Sequence, residues 1–224
     1  MNVTMTDIKK LREMTGAGLS DCKKALAESD DMDGAVAYLR KKGQAVAAKR
    51  SDREAAEGCV LVKVADGFGA IIALKCETDF VANNADFVAL TQQILDAAVA
   101  NKCKSLEEVN ALSMGDGTVA DAVTARSGIT GEKMELDGYS FIEGDNICTY
   151  NHMNRNGLCA MVAFSAPVEA EVGKNVAMQV ASAAPVAIDE TGVPQAVKDN
   201  EIAVAIDKTK AEQIQKAVEA ALKK

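Results

Sequence analysis

One pattern of elements occurs twice along this chain: a strand, a glycine turn, a second strand, a loop and a helix. The first copy covers residues 58–100, with β-rich segments on both sides of Ala65-Asp66-Gly67. The second copy covers 145–184, with a turn at 154–157. Two strands joined by a tight turn predict an antiparallel hairpin, and the following helix can cover one of its faces. The repeat therefore predicts a core of two related units, each an antiparallel sheet with a helix.

Hydrophobic spacing predicts the elements around these hairpins. A face of Phe87, Leu90, Ile94, Leu95 and Val99 indicates a helix at 86–100. Further elements are expected at 105–112 (helix), 119–125 (helix), 133–142 (a strand of the second sheet), 169–183 (helix), 194–207 (helix) and 210–224 (helix). The last helix has no Gly or Pro stop, so we expect the sequence to end short of the natural C-terminus.

Residues 4–42 read as three short helices. Apolar residues recur at helical spacing, first as Ile8, Leu11 and Met14, then from Leu19 to Leu26. Two glycines at 16 and 18 separate the first two helices. The third is expected to end at Gly43 after a run of cations, with a helical connector over 44–57.

These patterns predict the α+β class. We expect a helical docking module with its connector at 1–53, a core subdomain at 54–140 and a second core subdomain at 141–224. Residues 1–53 carry 11 Lys and Arg against 8 Asp and Glu, whereas 54–224 carry 14 against 25. Such an asymmetry favours two modules with different surfaces, although composition noise would also produce it.

Composition excludes several classes of protein. The formal charge of −8 argues against a general nucleic-acid coat. The N-terminus lacks the apolar stretch of a signal peptide, and no segment reaches the roughly 20 apolar residues of a membrane span. The six cysteines are widely separated without a CxxC pair, which predicts reduced thiols acting as small hydrophobes rather than zinc ligands. We therefore expect a cytoplasmic protein without a metal.

The sequence contains none of the usual enzyme motifs. GxSxG, HExxH, GxGxxG and GxxxxGK[ST] are absent, and a single histidine, His152, leaves little room for a Ser/His or Cys/His site. We therefore expect no covalent catalysis and no cofactor. An enzyme with a reactive cysteine is a distant alternative.

The segment 75–82 departs from the polar composition expected of a loop. Asp79-Phe80-Val81 places a scarce aromatic residue beside an acid, between a strand and a helix. Phe80 could pack inward as part of the core or as a helix staple. Alternatively, it is an exposed apolar side chain for the cleft of a partner protein.

Two segments of the chain contain distinctive motifs. One is Leu11-Arg12-Glu13-Met14-Thr15-Gly16-Ala17-Gly18-Leu19 with the residues up to Leu26, and the other is Glu77-Thr78-Asp79-Phe80-Val81-Ala82-Asn83. The first is similar to the N-terminal signature of the translation elongation factor Ts family, and the second is similar to the second signature of that family. The segment Tyr150-Asn151-His152, together with Arg155 through Val162, is similar to a third stretch of the family. The resemblance covers about residues 1–190.

The resemblance implies a guanine-nucleotide exchange factor for elongation factor Tu, with a ubiquitin-associated-like three-helix module and two related core subdomains. It implies that Thr78, Asp79, Phe80 and Val81 enter the GTPase near the nucleotide's magnesium site. Leu11 and Leu19 would be docking residues of the head, and His152 a contact at the Tu-facing edge. No membrane or direct nucleic-acid partner is implied.

A non-catalytic adaptor for the ribosome or RNA is the alternative from another class. It would use a basic patch of lysines at 9, 10, 23, 24 and 41. Lysines in such positions are usually part of a solvated helix face. Steep salt dependence of RNA binding would favour the adaptor.

Overall fold

The computed structural model describes residues 3–222. The helices are α1 (Met5–Thr15), α2 (Leu19–Ala27), α3 (Met32–Lys49), α4 (Asp79–Ala82), α5 (Ala85–Ala100), α6 (Leu106–Ala111), α7 (Val119–Thr130), α8 (Ala170–Ala183) and α9 (Gln195–Leu222). The strands are β1 (Glu57–Ala65), β2 (Phe68–Cys76), β3 (Ser113–Met114), β4 (Gly117–Thr118), β5 (Glu135–Glu143), β6 (Asn146–Asn151) and β7 (Cys159–Phe164). Leading helices followed by antiparallel sheets confirm the predicted α+β class.

The first sheet has the strand order β1-β2-β5 and is antiparallel throughout. The β1–β2 turn places Asp66 at φ 48° and Gly67 at φ 71°. Two consecutive positive φ values match the twist of a hairpin, and they favour Asp-Gly over most other pairs. Buried side chains of β2, among them Phe68, Ile72 and Leu74, belong to the same core as the buried face of α5.

The strand expected at 133–142 joins the first sheet, so its assignment to the second sheet was wrong. β5 pairs with β2 from Glu143 opposite Phe68 to Glu135 opposite Lys75. Its Phe141 ring stacks on Phe68 with centroids 5.6 Å apart, and Leu136 is buried in the first core. Apolar burial therefore decides the partner of this strand.

The second hairpin-plus-helix unit is present as predicted. β6 pairs with β7 from Asn146 opposite Phe164 to Asn151 opposite Cys159. α8 packs closely on this hairpin, because a Cβ atom on Gly173 would collide with the Cys148 sulfur. This sheet has two strands, against three in the first.

The three predicted N-terminal helices are confirmed as α1, α2 and α3, and they have a small core of their own. Its buried residues include Ile8, Leu11, Cys22, Leu26 and Ala35. The expected end of the third helix at Gly43 was wrong, because α3 continues to Lys49. At that position α3 crosses α7, where a Cβ atom on Gly128 would collide with the Gly43 Cα atom.

The C-terminal segment forms one helix, α9, where two were expected. The residues between 207 and 210 include neither Gly nor Pro, so nothing local interrupts it. The predicted end of this helix at 224 lies outside the described residues.

Contacts divide the chain into two compact units, one ending at Ser182 and the other beginning at Ala183. The division into 1–53, 54–140 and 141–224 stays a prediction. Over residues 3–222, no helix combines the length and the apolar composition needed to cross a membrane.

Candidate functional site

The segment singled out at 75–82 forms a tight connection after β2. Thr78 caps the one-turn helix α4 and accepts a hydrogen bond from the Val81 amide at 3.4 Å. A threonine here satisfies a helix amide that would otherwise lack a partner. α4 ends at Asn83, and Asn84 caps α5 in the same way. Two successive caps therefore give the strand-to-helix connection a defined backbone.

Phe80 points outward from this turn. Its side chain is 85% exposed, whereas Val81 is partly buried against the first core and Ala82 is buried. Asp79 is also exposed. Of the two interpretations of Phe80, the exposed one therefore applies, and Val81 and Ala82 make the inward contacts.

Glu132 holds the start of the turn from a distant part of the chain. Its Oε2 atom accepts hydrogen bonds from the Glu77 and Thr78 amides, both at 3.1 Å. Its Oε1 atom accepts one from the Thr78 hydroxyl at 2.6 Å. Ionised acceptors make the stronger hydrogen bonds in proteins, so this carboxylate orders the two residues before α4.

The Glu77 carboxylate in turn accepts hydrogen bonds from the segment that contains Glu132 and from the end of α3. Its Oε1 atom accepts a hydrogen bond from the Lys133 amide at 2.6 Å, and Arg50 Nη1 donates to its two oxygens at 2.8 and 3.0 Å. The Lys133 amide, followed by Arg50 and Arg53, lowers the pKa of Glu77 below its usual range. Because Arg50 caps the end of α3, this carboxylate also ties the third helix of the head to the turn.

Arg126 of α7 connects the beginning of α5 with the head. Its Nη2 atom lies 3.0 Å from Asn84 Oδ1 and 3.1 Å from Asp86 Oδ2. Its Nη1 atom would lie 3.5 Å from a Cβ atom on Gly16, the left-handed residue that ends α1. The Gly16 turn and the α4–α5 junction therefore meet at one arginine.

The two leucines expected to dock on a partner have different positions. Leu19 begins α2 and is 46% exposed, so its side chain is available to a partner. Leu11 is 0% exposed inside the head core. A side chain without exposed surface supports the shape of the head, and the proposed docking surface therefore includes Leu19 without Leu11.

His152 directly follows the last residue of β6 and is exposed. Its Nδ1 atom is 2.9 Å from the Tyr150 hydroxyl, and the two rings meet edge to face. The β6–β7 connection also reaches the first sheet, because the Val60 amide donates to the Asn156 carbonyl at 2.6 Å. The structure thus places His152 on the second hairpin, at a connection anchored to β1.

Sequence reasoning missed Glu132, Arg50 and Arg126. Glu132 is 54 residues from Thr78, and no local pattern links the two. Glu77 belongs to the quoted signature, but its partners come from α3 and from the segment after α7. Contacts of this kind arise only when distant segments are packed together.

The described range contains no cluster of metal ligands, and two of its thiols are shielded from ionisation. Residues 3–222 include no group of three or more His, Cys, Asp or Glu that could hold an ion. Burial raises the pKa of Cys76 and of Cys159 to about 11. A raised pKa lowers the thiolate fraction, so these two cysteines are not activated nucleophiles.

Comparison with known proteins gives a family match and several close relatives. A family model described as "Elongation factor TS" matches residues 77–224. The chain is 71% identical to an elongation factor Ts of Bacteroides fragilis over 225 aligned residues, which cover 100% of this chain and 68% of that protein. It is 68% identical to that of Bacteroides thetaiotaomicron with the same coverage. For Porphyromonas gingivalis the identity is 52%, over 93% of this chain and 76% of the relative.

Proposed function

This chain belongs to the elongation factor Ts family, and on that premise we propose that it binds the GTPase elongation factor Tu and promotes the release of GDP. The observation that carries the proposal is the exposure of Phe80. This aromatic residue is 85% exposed on the short helix α4, and hydrogen bonds to Glu132 hold the residue that precedes this helix. An exposed aromatic residue on an ordered turn is typical of an anchor that inserts into a partner's pocket. In this proposal the turn from Thr78 to Val81 enters the GTPase near its magnesium and phosphate site.

Exchange of this kind needs no covalent chemistry. If binding of this protein weakens nucleotide binding, the nucleotide weakens this protein's binding by the same factor. The exchange protein has only to stabilise a conformation of the GTPase in which the magnesium and phosphate site is disturbed. We therefore assign it no catalytic acid, base or metal. The cytoplasmic location expected from the sequence remains a prediction.

Magnitudes indicate that Phe80 does not act alone. A thousandfold faster release requires a barrier lower by about 4 kcal/mol. Burial of one Phe side chain contributes roughly 1.5–3 kcal/mol. The remainder must come from docking elsewhere, for which Leu19 on the head and His152 on the second hairpin are the candidates.

The decisive experiment times the release of fluorescent GDP from Tu by stopped flow at increasing concentrations of this protein. We expect Phe80→Ala to lower the saturating rate by about 10- to 100-fold, the range that follows from losing the burial of one Phe. Ile188→Ala is the matched control, because Ile188 is an exposed apolar residue of the other compact unit and should leave the rate unchanged.

Two results would contradict the proposal. Wild-type protein that leaves GDP release at its spontaneous rate would remove the exchange function altogether. An unchanged saturating rate for Phe80→Ala would remove the role of Phe80 while leaving exchange in place. The lysines at 9, 10, 23, 24 and 41 are exposed, so RNA binding that weakens steeply with salt, without GDP release, would favour the adaptor instead.

A further inference from the structure

The helix that carries Phe80 is too short to hold its own orientation. α4 has four residues, about one turn. Forming a first helical turn fixes several backbone dihedrals for a single hydrogen bond, so an isolated turn is unfavourable. The direction of Phe80 must therefore be set by contacts outside α4.

Besides the packing of α4 on the first core, hydrogen bonds hold the residues before it, and these come from the segment that follows α7. Glu132 accepts hydrogen bonds from the Glu77 amide, the Thr78 amide and the Thr78 hydroxyl, at 3.1, 3.1 and 2.6 Å. The reverse contact runs from the Lys133 amide to the Glu77 carboxylate at 2.6 Å. In each of the two segments, 77–78 and 132–133, a glutamate side chain therefore accepts hydrogen bonds from backbone amides of the other segment.

The segment around Glu132 is itself anchored. The Ser127 hydroxyl donates to the Glu132 carbonyl at 2.5 Å, and Ser127 is fully buried. Gly131 ends α7 in the left-handed conformation at φ 76°. The carboxylate is therefore presented from a well-supported position next to the core.

We propose that Glu132 is a positioning residue, which orients Phe80 for insertion into the GTPase by holding the Glu77 and Thr78 amides and the Thr78 hydroxyl. It acts through Phe80 and has no contact with the nucleotide site of its own. The inference rests on the proposed exchange function for its consequence, but the orientation of residue 80 can be measured in this protein alone.

The orientation is tested with a fluorescent residue at the tip of the turn. The chain contains no Trp, so Phe80→Trp introduces a single tryptophan. We expect Glu132→Gln in this background to raise the amplitude of nanosecond anisotropy decay about twofold, because one charged oxygen acceptor becomes an amide donor. Glu135→Gln is the matched control: it removes the same charge from the same segment, and the contact of Glu135 is with the Lys133 ammonium group at 2.9 Å.

A second variant guards against a simple loss of folding. Thr78→Val has nearly the shape of threonine and removes the hydroxyl that donates to Glu132 and accepts from the Val81 amide. It should raise the fast anisotropy amplitude in the same direction while the unfolding midpoint shows that the fold persists. Anisotropy that stays at the wild-type value in Glu132→Gln would overturn the inference, whatever the result for Thr78→Val.

The functional consequence is tested by GDP release with unlabelled variants. We expect Glu132→Gln to lower the saturating rate about tenfold with little change in the half-maximal concentration. The double variant Glu132→Gln/Phe80→Ala should be no slower than Phe80→Ala alone, since a positioning residue has no effect once its target is gone. A further tenfold loss in the double variant would show that Glu132 acts independently and would refute the inference. If wild-type protein fails to release GDP, the proposed function is wrong, and the anisotropy result alone decides whether Glu132 orients residue 80.

Discussion

Glu77 connects three separated parts of the chain through one side chain. It follows β2 directly, binds Arg50 at the end of α3 and accepts the Lys133 amide after α7. Its side chain is 13% exposed, so water screens these contacts only in part. The Arg53 side chain is 60% exposed and contributes less, as surface ion pairs do.

The pH dependence of stability should report on Glu77. Its folded pKa lies below the ordinary value of 4.5, so the ionised carboxylate stabilises the fold above that pH. The contribution is lost as the pH falls through the lowered folded pKa. We expect the free energy of unfolding to decrease as the pH is lowered from 5, and to decrease more steeply for the wild type than for Glu77→Gln. Urea titrations at several pH values, followed by tyrosine fluorescence, measure this free energy. An equal dependence of the free energy of unfolding on pH in the two proteins would contradict the prediction.

At the scale of elements, the crossing of α3 and α7 decides how the head is attached. A glycine after a run of cations usually ends a helix, yet α3 passes through Gly43 without a break. Two glycines at the crossing let the backbones approach, because a Cβ atom on Gly128 would have no room beside Gly43. Tertiary packing thus overrides a local stop signal.

Substitution at this crossing should destabilise the protein. Helix propensity alone would favour alanine over glycine by about 1 kcal/mol. We nevertheless expect Gly128→Ala to lower the free energy of unfolding by roughly 1–3 kcal/mol, since the added methyl group must push the helices apart. All tyrosines (Tyr38, Tyr139 and Tyr150) lie in the first compact unit, so their fluorescence reports its unfolding.

The control for this substitution is Gly157→Ala. A Cβ atom on Gly157 would meet no atom within 4 Å, so the change should not lower stability. A Gly128→Ala protein as stable as the Gly157→Ala control would show that the crossing has room for a methyl group.

At the scale of the whole molecule, the two compact units differ in how they bury apolar surface. The first unit contains both hydrophobic cores. In the second, the α9 side chains from 199 to 221 are exposed, including Ile202, Ile206 and Ile214. Most of the stability of a helix in a protein comes from packing of its apolar face, so α9 is expected to be marginal in this chain.

Limited proteolysis tests this difference. At a low concentration of trypsin, we expect the first cleavages within 183–222. Candidate sites are Lys198, which is half-buried, and Lys208 and Lys210, which are exposed. The first unit should persist as a fragment that retains its tyrosine unfolding transition. Mass spectrometry identifies the sites. Cleavage inside the first unit before any loss from 183–222 would contradict the expectation.

The sequence by itself determined the class of the fold, its N-terminal helices and both hairpins with their helices. These follow from local periodicity and turn chemistry, as at Asp66-Gly67, where the type of turn is a property of two adjacent residues. The exposed position of Phe80 was one of two interpretations, and the family signature around it was legible because its residues are consecutive. The docking, His152 and domain assignments stay predictions.

Only the tertiary structure decided which segments meet. It gave β5 to the first sheet, carried α3 past Gly43, buried Leu11 and brought Glu132 to Thr78 across 54 residues. Such contacts depend on how apolar surface is buried when the whole chain packs, and a sequence window has no information about a partner so far away. The direction of Phe80 was also decided only by the tertiary structure, because the residues that hold its turn come from distant parts of the chain.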